Sequence, residues 1–251
     1  MSNKRASIIL NYLKQENSVK FRDICDLFPE YNEMTIRRDL ILLEKNGYIT
    51  RSHGKVQICP DSMAEFFYYS NRSVSALEEK RLIAIKASLL LNENLSIYLD
   101  ASTTNLEFVK IMPDIPLFII TNDPLICFEL SKKRNVEVMI TGGLLNKSVM
   151  SVSGPVSIES LSNLNIDMAF IGAAGFTIEN GFSNAHSSEC ELKRHIISMA
   201  KKVVMMIDSS KVGKVRQFTF AQISDIDMII CNKPLEKSIS DKLKKHKVVF
   251  K

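Results

Sequence analysis

Four short clusters in the second half of the chain carry the side chains best suited to holding a small polar ligand. Asp100-Ala101-Ser102-Thr103-Thr104 puts a carboxylate and three hydroxyls in one stretch. At the start of a helix, such hydroxyls and the adjoining backbone N–H groups hold a phosphate, aided by the helix dipole. Thr121-Asn122-Asp123 offers a hydroxyl, an amide and an acid. Thr141-Gly142-Gly143 lets the backbone approach a ligand closely. Asp208-Ser209-Ser210-Lys211 adds a cation for a phosphate or carbonyl oxygen. Taken singly, each has a plainer reading as a helix cap, a turn or a solvated loop. His186 and His195 have the residue type for acid–base chemistry, but surface or helix-packing roles fit them better. The five cysteines (Cys25, Cys59, Cys127, Cys190, Cys231) are scattered, with no CxxC and no paired histidines nearby. Neither a zinc site nor a disulfide framework is expected, and no metal or cofactor is called for.

A fifth cluster lies near the N-terminus: Thr35-Ile36-Arg37-Arg38-Asp39-Leu40. An arginine binds guanine through two parallel hydrogen bonds or clamps a phosphate, and Thr35 can bond either. Two arginines beside an aspartate on an amphipathic helix are, by themselves, as easily a solvated face with local ion pairs. The surrounding elements decide between these readings.

Residues 4–15 read as a helix with Ile8, Ile9, Leu10, Tyr12 and Leu13 on its apolar face. A polar break at residues 15–18 precedes a short helix from Phe21 to Phe28, stopped by Pro29. A third helix follows Asn32, a fitting N-cap, with Ile36, Leu40 and Leu43 as a buried stripe and Gly47 as its stop. Tyr48-Ile49 and Val56-Gln57-Ile58 flank Arg51-Ser52-His53-Gly54-Lys55, a hairpin signal. Three helices and a hairpin in this order make a winged helix-turn-helix, whose third helix would enter the major groove of double-stranded DNA. Arg51, His53 and Lys55 then stand on the wing beside the DNA backbone or minor groove.

Residues 59–75 read as a linker, with an unusually aromatic Phe66-Phe67-Tyr68-Tyr69. From residue 76 to 251 short apolar strands alternate with helices, which indicates a larger, mainly parallel α/β domain. Ligands of such sheets gather at the carboxyl ends of the strands, where all four polar clusters fall. Together they make a polar pocket the better reading.

Composition agrees with a soluble globular protein: of 251 residues, 45% are hydrophobic and 24% charged, enough apolar material for a real core. The net charge of +5 decides little, but its distribution does: residues 1–60 hold ten basic and seven acidic residues, and the rest 23 and 21. The denser N-terminal excess favours a polyanionic partner there. No signal peptide opens the sequence and no apolar run reaches membrane-spanning length, so a cytoplasmic protein without a membrane partner is expected. The basic tail Lys242-Lys244-Lys245-His246-Lys247 reads as the solvated face of a terminal helix.

Residues 4–58 resemble the DeoR family of bacterial regulators, through Thr35-Ile36-Arg37-Arg38-Asp39-Leu40, Leu42, Leu43, Glu44, Gly47 and Arg51-Ser52-His53-Gly54. Lys55 stands where the family commonly has a second glycine. The second half resembles the DeoR C-terminal sensor domain, related in fold to ribose-5-phosphate isomerases and CoA transferases. That resemblance rests on Asp100-x-Ser-Thr-Thr, Thr121-Asn122, Gly142-Gly143, Gly154, Asp167 through Gly172, Gly181, Glu189 with Lys193-Arg194, and Asp208 through Lys211. It implies a sugar phosphate or related metabolite as effector. Asp100, Ser102, Thr103, Thr104, Thr121, Asn122, Gly142, Gly143 and Lys211 are the implied pocket residues, with Asp167, Gly172 and Glu189 as weaker additions. Ser102 and Asp123 depart from the commoner glycine and serine. A second carboxylate facing a phosphate would repel it.

The resulting expectation is a repressor of a carbohydrate operon, a homodimer or homotetramer released from its operator by a phosphorylated sugar. Two alternatives differ in class. One is a sugar-phosphate isomerase or transferase with an accessory DNA head, although no acid–base pair with assignable roles is visible and fold does not establish chemistry. The other is a DNA-binding scaffold whose α/β domain only oligomerises.

Overall fold

The computed structural model describes residues 2–16, 18–45, 48–52, 54–58 and 76–251. They form two compact units. The expected linker, His53 and Gly47 lie outside the described residues.

In the first unit, α1 (Ser2–Glu16), α2 (Phe21–Asp26) and α3 (Glu33–Lys45) enclose a core of Ile9, Leu13, Ile24, Ile36, Leu40 and Leu43, closed by Ile49 and Val56 of the sheet. The stripe at 36, 40 and 43 is buried, as its helical spacing requires. Asn32 caps α3: its side-chain oxygen accepts the Thr35 N–H at 2.9 Å. The wing pairs β2 (Ile49–Ser52) with β3 (Lys55–Ile58), antiparallel from Ile49↔Ile58 to Ser52↔Lys55. Between the polar break and α2 lies a further strand, β1 (Ser18–Lys20), which pairs with β3 to complete a three-stranded sheet. Only Val19 of β1 is buried, so three polar-flanked residues carry no signal apart from their pairing.

The second unit runs through α4 (Leu77–Ser88), β4 (Leu95–Leu99), α5 (Thr103–Ile111), β5 (Leu117–Thr121), α6 (Pro124–Leu130) and β6 (Val136–Ile140). A hairpin of β7 (Leu144–Asn146) and β8 (Ser151–Ser153) and the short α7 (Pro155–Glu159) follow. The chain continues as β9 (Met168–Gly172), β10 (Gly175–Thr177), β11 (Gly181–Asn184), α8 (Ser187–Met199), β12 (Val203–Met206) and β13 (Phe218–Ala221). It ends with β14 (Met228–Ile230), α9 (Lys237–Lys245) and β15 (Val249–Phe250). Seven strands form a parallel sheet in the order β15-β14-β12-β9-β4-β5-β6. Both faces are buried, which explains the near-continuous apolar runs in the sequence. Ile97 and Leu99 face a core with Phe108 and Phe170, whereas Tyr98 and Ile120 face one with Leu161, Phe176 and Ile196. The small antiparallel sheet β10-β11-β13 and the β7–β8 hairpin are additions to the expected alternation.

Strand order fixes where a ligand belongs. From β4 the chain proceeds outward to β5 and β6, then returns to place β9 on the other side of β4 and proceeds the opposite way. The switch point therefore lies between β4 and β9, and in sheets of this kind ligands bind beyond the carboxyl ends of the strands at that point.

Candidate nucleic-acid interface and effector site

The first unit turns Arg37 and Arg38 outward. Arg37 and Arg38 are exposed, on the side of α3 away from the Ile36/Leu40/Leu43 stripe. Arg37 lies over the Phe21 ring, 4.3 Å from its centroid, and 3.8 Å from Glu33 one turn earlier. Arg38 makes no side-chain hydrogen bond or ion pair among the described residues. Thr35 is half-buried and its hydroxyl donates to Asn32 Oδ1 at 2.9 Å, which leaves its oxygen as an acceptor. Asp39 points inward and forms a buried ion pair with Arg5 of α1, so it is not part of a solvated face. Arg5 also covers the Tyr31 ring at 4.1 Å. Beside the wing, Phe21, Arg37, Arg51 and Lys55 line a recess of about 180 Å³. Lys55 is exposed. Arg51, read from the sequence as a group facing DNA, gives its guanidinium to Glu44 of α3.

In the second unit, Thr121 ends a parallel strand and Asp100, Thr141 and Asp208 follow the carboxyl ends of three others, so the four polar clusters share one edge. They do not share one point. Lys211 follows β12 and Gly142 follows β6, four strand spacings away, roughly 19 Å at ~4.8 Å each. That exceeds the span of one small sugar phosphate, and the central members sit nearest the switch point.

At that point Asp100, buried, forms an ion pair with Lys193 of α8, which is buried as well. Asp100 Oδ2 also accepts the Gly172 N–H at 3.1 Å, and Lys193 Nζ donates to the Gly172 carbonyl at 2.9 Å. The three residues lock the ends of β4 and β9 to α8. Burial raises the Asp100 carboxyl above the usual carboxylate range, although Lys193 opposes the shift. Gly172 is required here, since a Cβ would come within 2.9 Å of Ser102 Cβ. Lys193 was visible in the sequence only as part of a resemblance; 93 positions separate it from Asp100.

Several implied pocket groups already have partners. Ser102 caps α5 by accepting the Asn105 N–H at 3.0 Å. The Thr121 hydroxyl donates to the Leu99 carbonyl at 2.8 Å. Asn122 accepts the Ala101 N–H at 2.8 Å and donates to Ser151 Oγ and the Val152 carbonyl at 3.1 and 3.0 Å. Asp123, the departure from the family pattern, caps α6 through the N–H groups of Leu125 and Ile126. Thr103 and Thr104 are buried in the first turn of α5. Gly142 is exposed and its carbonyl accepts the Ser157 hydroxyl. Gly143 has φ +127°. Lys211 is partly exposed, 3.6 Å from Asp208. Glu189 accepts from the Asn184 side chain at 3.1 Å.

Two buried hydroxyls, on Tyr98 and Thr141, have no hydrogen-bond partner among the described residues. Burial, then the negative charges of Asp100, Glu189 and Asp123, push the Tyr98 phenol well above its ordinary range. The sequence also pointed to Asp167, and the structure corrects this. Asp167 precedes β9 at the opposite edge of the sheet, where it accepts the Ser96 N–H at 3.0 Å and pairs with Lys201 at 2.8 Å.

A winged helix-turn-helix with Arg37 and Arg38 facing outward, joined in one chain to a parallel-sheet unit with polar groups gathered at its switch point, is the build of a DNA-binding transcriptional regulator with a sensor domain. Residues 5–61 match the DeoR-like helix-turn-helix domain, and residues 75–233 match the DeoR C terminal sensor domain. The chain belongs to the DeoR family of transcriptional regulators. It is 33% identical over 245 residues to the HTH-type transcriptional repressor GlcR of Bacillus subtilis, covering 98% of this chain and 94% of that one. It is 30% identical over 250 residues to the L-fucose operon activator of Haemophilus influenzae, covering 98% of each. Ribose 5-phosphate isomerase A from Methanocaldococcus jannaschii aligns over 55% of each chain with a TM-score of 0.42 and 15% identity, a likeness at which activity does not transfer.

Proposed function

We propose that the protein represses a carbohydrate operon in the cytoplasm and that a phosphorylated sugar metabolite releases it from its operator. The observation that carries the reading is the set of polar groups gathered at the switch point. There the start of α5 supplies Ser102, Thr103 and Thr104 beside the buried Asp100–Lys193 pair, in a chain that also bears a DNA-binding head. The phosphate lies against the N-terminus of α5, where backbone N–H groups and hydroxyls converge, and Lys211 faces it from the other half of the sheet. The sugar hydroxyls reach the polar groups deeper in the crevice. The likeness to a repressor and to the activator of an L-fucose operon supports a sugar-linked regulator.

Asp100 and Lys193 neutralise each other in the interior, so we assign them to binding and architecture and propose no catalytic role. The chain acts as a homodimer or homotetramer that presents paired heads to two half-sites. Effector binding favours an arrangement of the heads that no longer fits the half-site spacing, by as much as its affinity differs between the two arrangements.

A thermal-shift screen against phosphorylated sugars and their free forms tests the reading. One phosphate ester should stabilise the protein, by about 2.7 kcal/mol at 100 times its Kd. The shift should be lost in Thr103→Ala and Lys211→Ala, and the same ester should release the protein from DNA. A shift with the free sugar alone, or none with any ester, would refute the phosphate assignment.

A further inference from the structure

The wing is fastened to α3 by a single carboxylate. Arg51 Nε and Nη2 both donate to Glu44 Oε2, the former at 2.7 Å, and the Arg51 backbone N–H donates to Glu44 Oε1 at 3.1 Å. Glu44 belongs to the last turn of α3 and Arg51 to β2, so these three bonds join helix to hairpin. Near the hairpin tip, the Gly54 carbonyl accepts the Phe21 N–H at 2.9 Å, and Arg37 covers the Phe21 ring. The hairpin is thus tied at two points while Lys55 stays exposed. The Arg51 and Glu44 side chains are 33% and 36% exposed, so DNA phosphates would act on both charges. A carboxylate in a DNA-binding head opposes binding unless its removal does more harm than its charge.

We propose that Glu44 and Arg51 form a latch that sets the angle of the wing on α3. Arg51 is a positioning residue, and the cations that meet phosphate beside the recess are Arg37 and Lys55. The proposal rests on DNA binding by this unit. It makes an unusual demand: deleting a negative charge beside the DNA weakens binding.

The test uses the full-length protein and a duplex that the wild type enriches from a random-sequence pool. Affinity is measured by fluorescence anisotropy across a potassium chloride series. Glu44→Gln and Arg51→Gln should each weaken binding roughly fivefold, at the upper end for a well-formed surface pair. The double variant should bind no more weakly than either single one, because the two residues act as one unit. Arg51→Lys should fail nearly as badly as Arg51→Gln, since an ammonium cannot reproduce the forked contact. The slope of log affinity against log salt should stay at the wild-type value in all of these, whereas Lys55→Gln should lower it by about 0.9.

A direct phosphate contact by Arg51 predicts the reverse. Arg51→Gln would lower the slope by about 0.9, Arg51→Lys would bind almost as wild type, and Glu44→Gln would bind as tightly or more tightly. Any of these three results overturns the latch. A wild type that enriches no duplex overturns it differently, through the DNA-binding reading on which it rests.

Discussion

Replacing Lys193 with methionine keeps the length of the side chain and removes its charge. In the wild type the Lys193 and Asp100 side chains are 4% and 3% exposed, so water cannot take over from either partner. Lys193→Met leaves the Asp100 carboxylate with the Gly172 N–H, and leaves the Gly172 carbonyl without the lysine's hydrogen bond. An uncompensated buried charge of this kind costs about 3–5 kcal/mol.

The cost should depend on pH in a determined direction. Burial already raises the Asp100 carboxyl, with Lys193 as the main opposing influence, and losing Lys193 raises it further. An acid with a raised folded-state pKa takes up its proton more readily in the folded protein. Its contribution to stability is full below the unfolded pKa and is lost as pH rises through the folded one. The deficit of Lys193→Met is therefore largest above the folded pKa and shrinks as pH falls through it, by about 1.4 kcal/mol for each unit between the folded and unfolded values. Urea unfolding followed by circular dichroism in a pH series from 8 downward measures it. The double variant Asp100→Asn/Lys193→Met should lose less than Lys193→Met alone at pH 8, since no charge is stranded. A deficit below about 1 kcal/mol at pH 8, the size of an exposed pair, would refute the reasoning, as would one that does not shrink as the pH falls.

Arg38→Ala should weaken operator binding by about 1–3 kcal/mol, roughly five- to 160-fold, and leave the melting temperature unchanged; unchanged anisotropy titrations would remove Arg38 from the interface. Gly143→Ala should destabilise the sensor domain by about 1–3 kcal/mol, because its backbone has φ +127° and a Cβ would fall 2.5 Å from Ser157 Oγ and 2.7 Å from the Ser153 carbonyl. Gly154→Ala, at φ +110° but with nothing within 4 Å, should cost less in the same thermal melt.

What the sequence revealed and what it withheld divide along chain separation. The α3 stripe, the Asn32 cap and the order of strands and helices are encoded within a few residues of themselves, and all of them are present in the structure. The contacts that reassign site residues are long-range. Arg5 meets Asp39 across 34 positions and Lys193 meets Asp100 across 93, and no local pattern announces either pair. Arg51 and Glu44 are only seven apart, but the turn between helix and strand brings them together, and helical periodicity says nothing of that. Likewise, a Thr-Asn pair at a strand end advertises hydrogen-bonding capacity without saying who uses it. Here Leu99, Ala101 and Val152 take much of it. Strand order is also invisible in sequence, and it separates Lys211 from Gly142.

The same order leaves the large sheet with a seam. Its two half-sheets meet along β4 and β9 through three paired positions, against five between β4 and β5. The seam is fastened at both ends, by the Asp167–Ser96 contact at one edge and by Asp100, Gly172 and Lys193 at the other. Asn105 is stitched alongside, donating to the Asp100 and Phe170 carbonyls at 2.8 and 2.9 Å. In mechanical terms the sensor is two plates joined by a short weld, with its rivets at the mouth of the crevice. A molecule seated there, as we propose, would bear on both plates at once and resist their sliding. Chemical recognition at the mouth would thereby become shear stiffness across the whole domain.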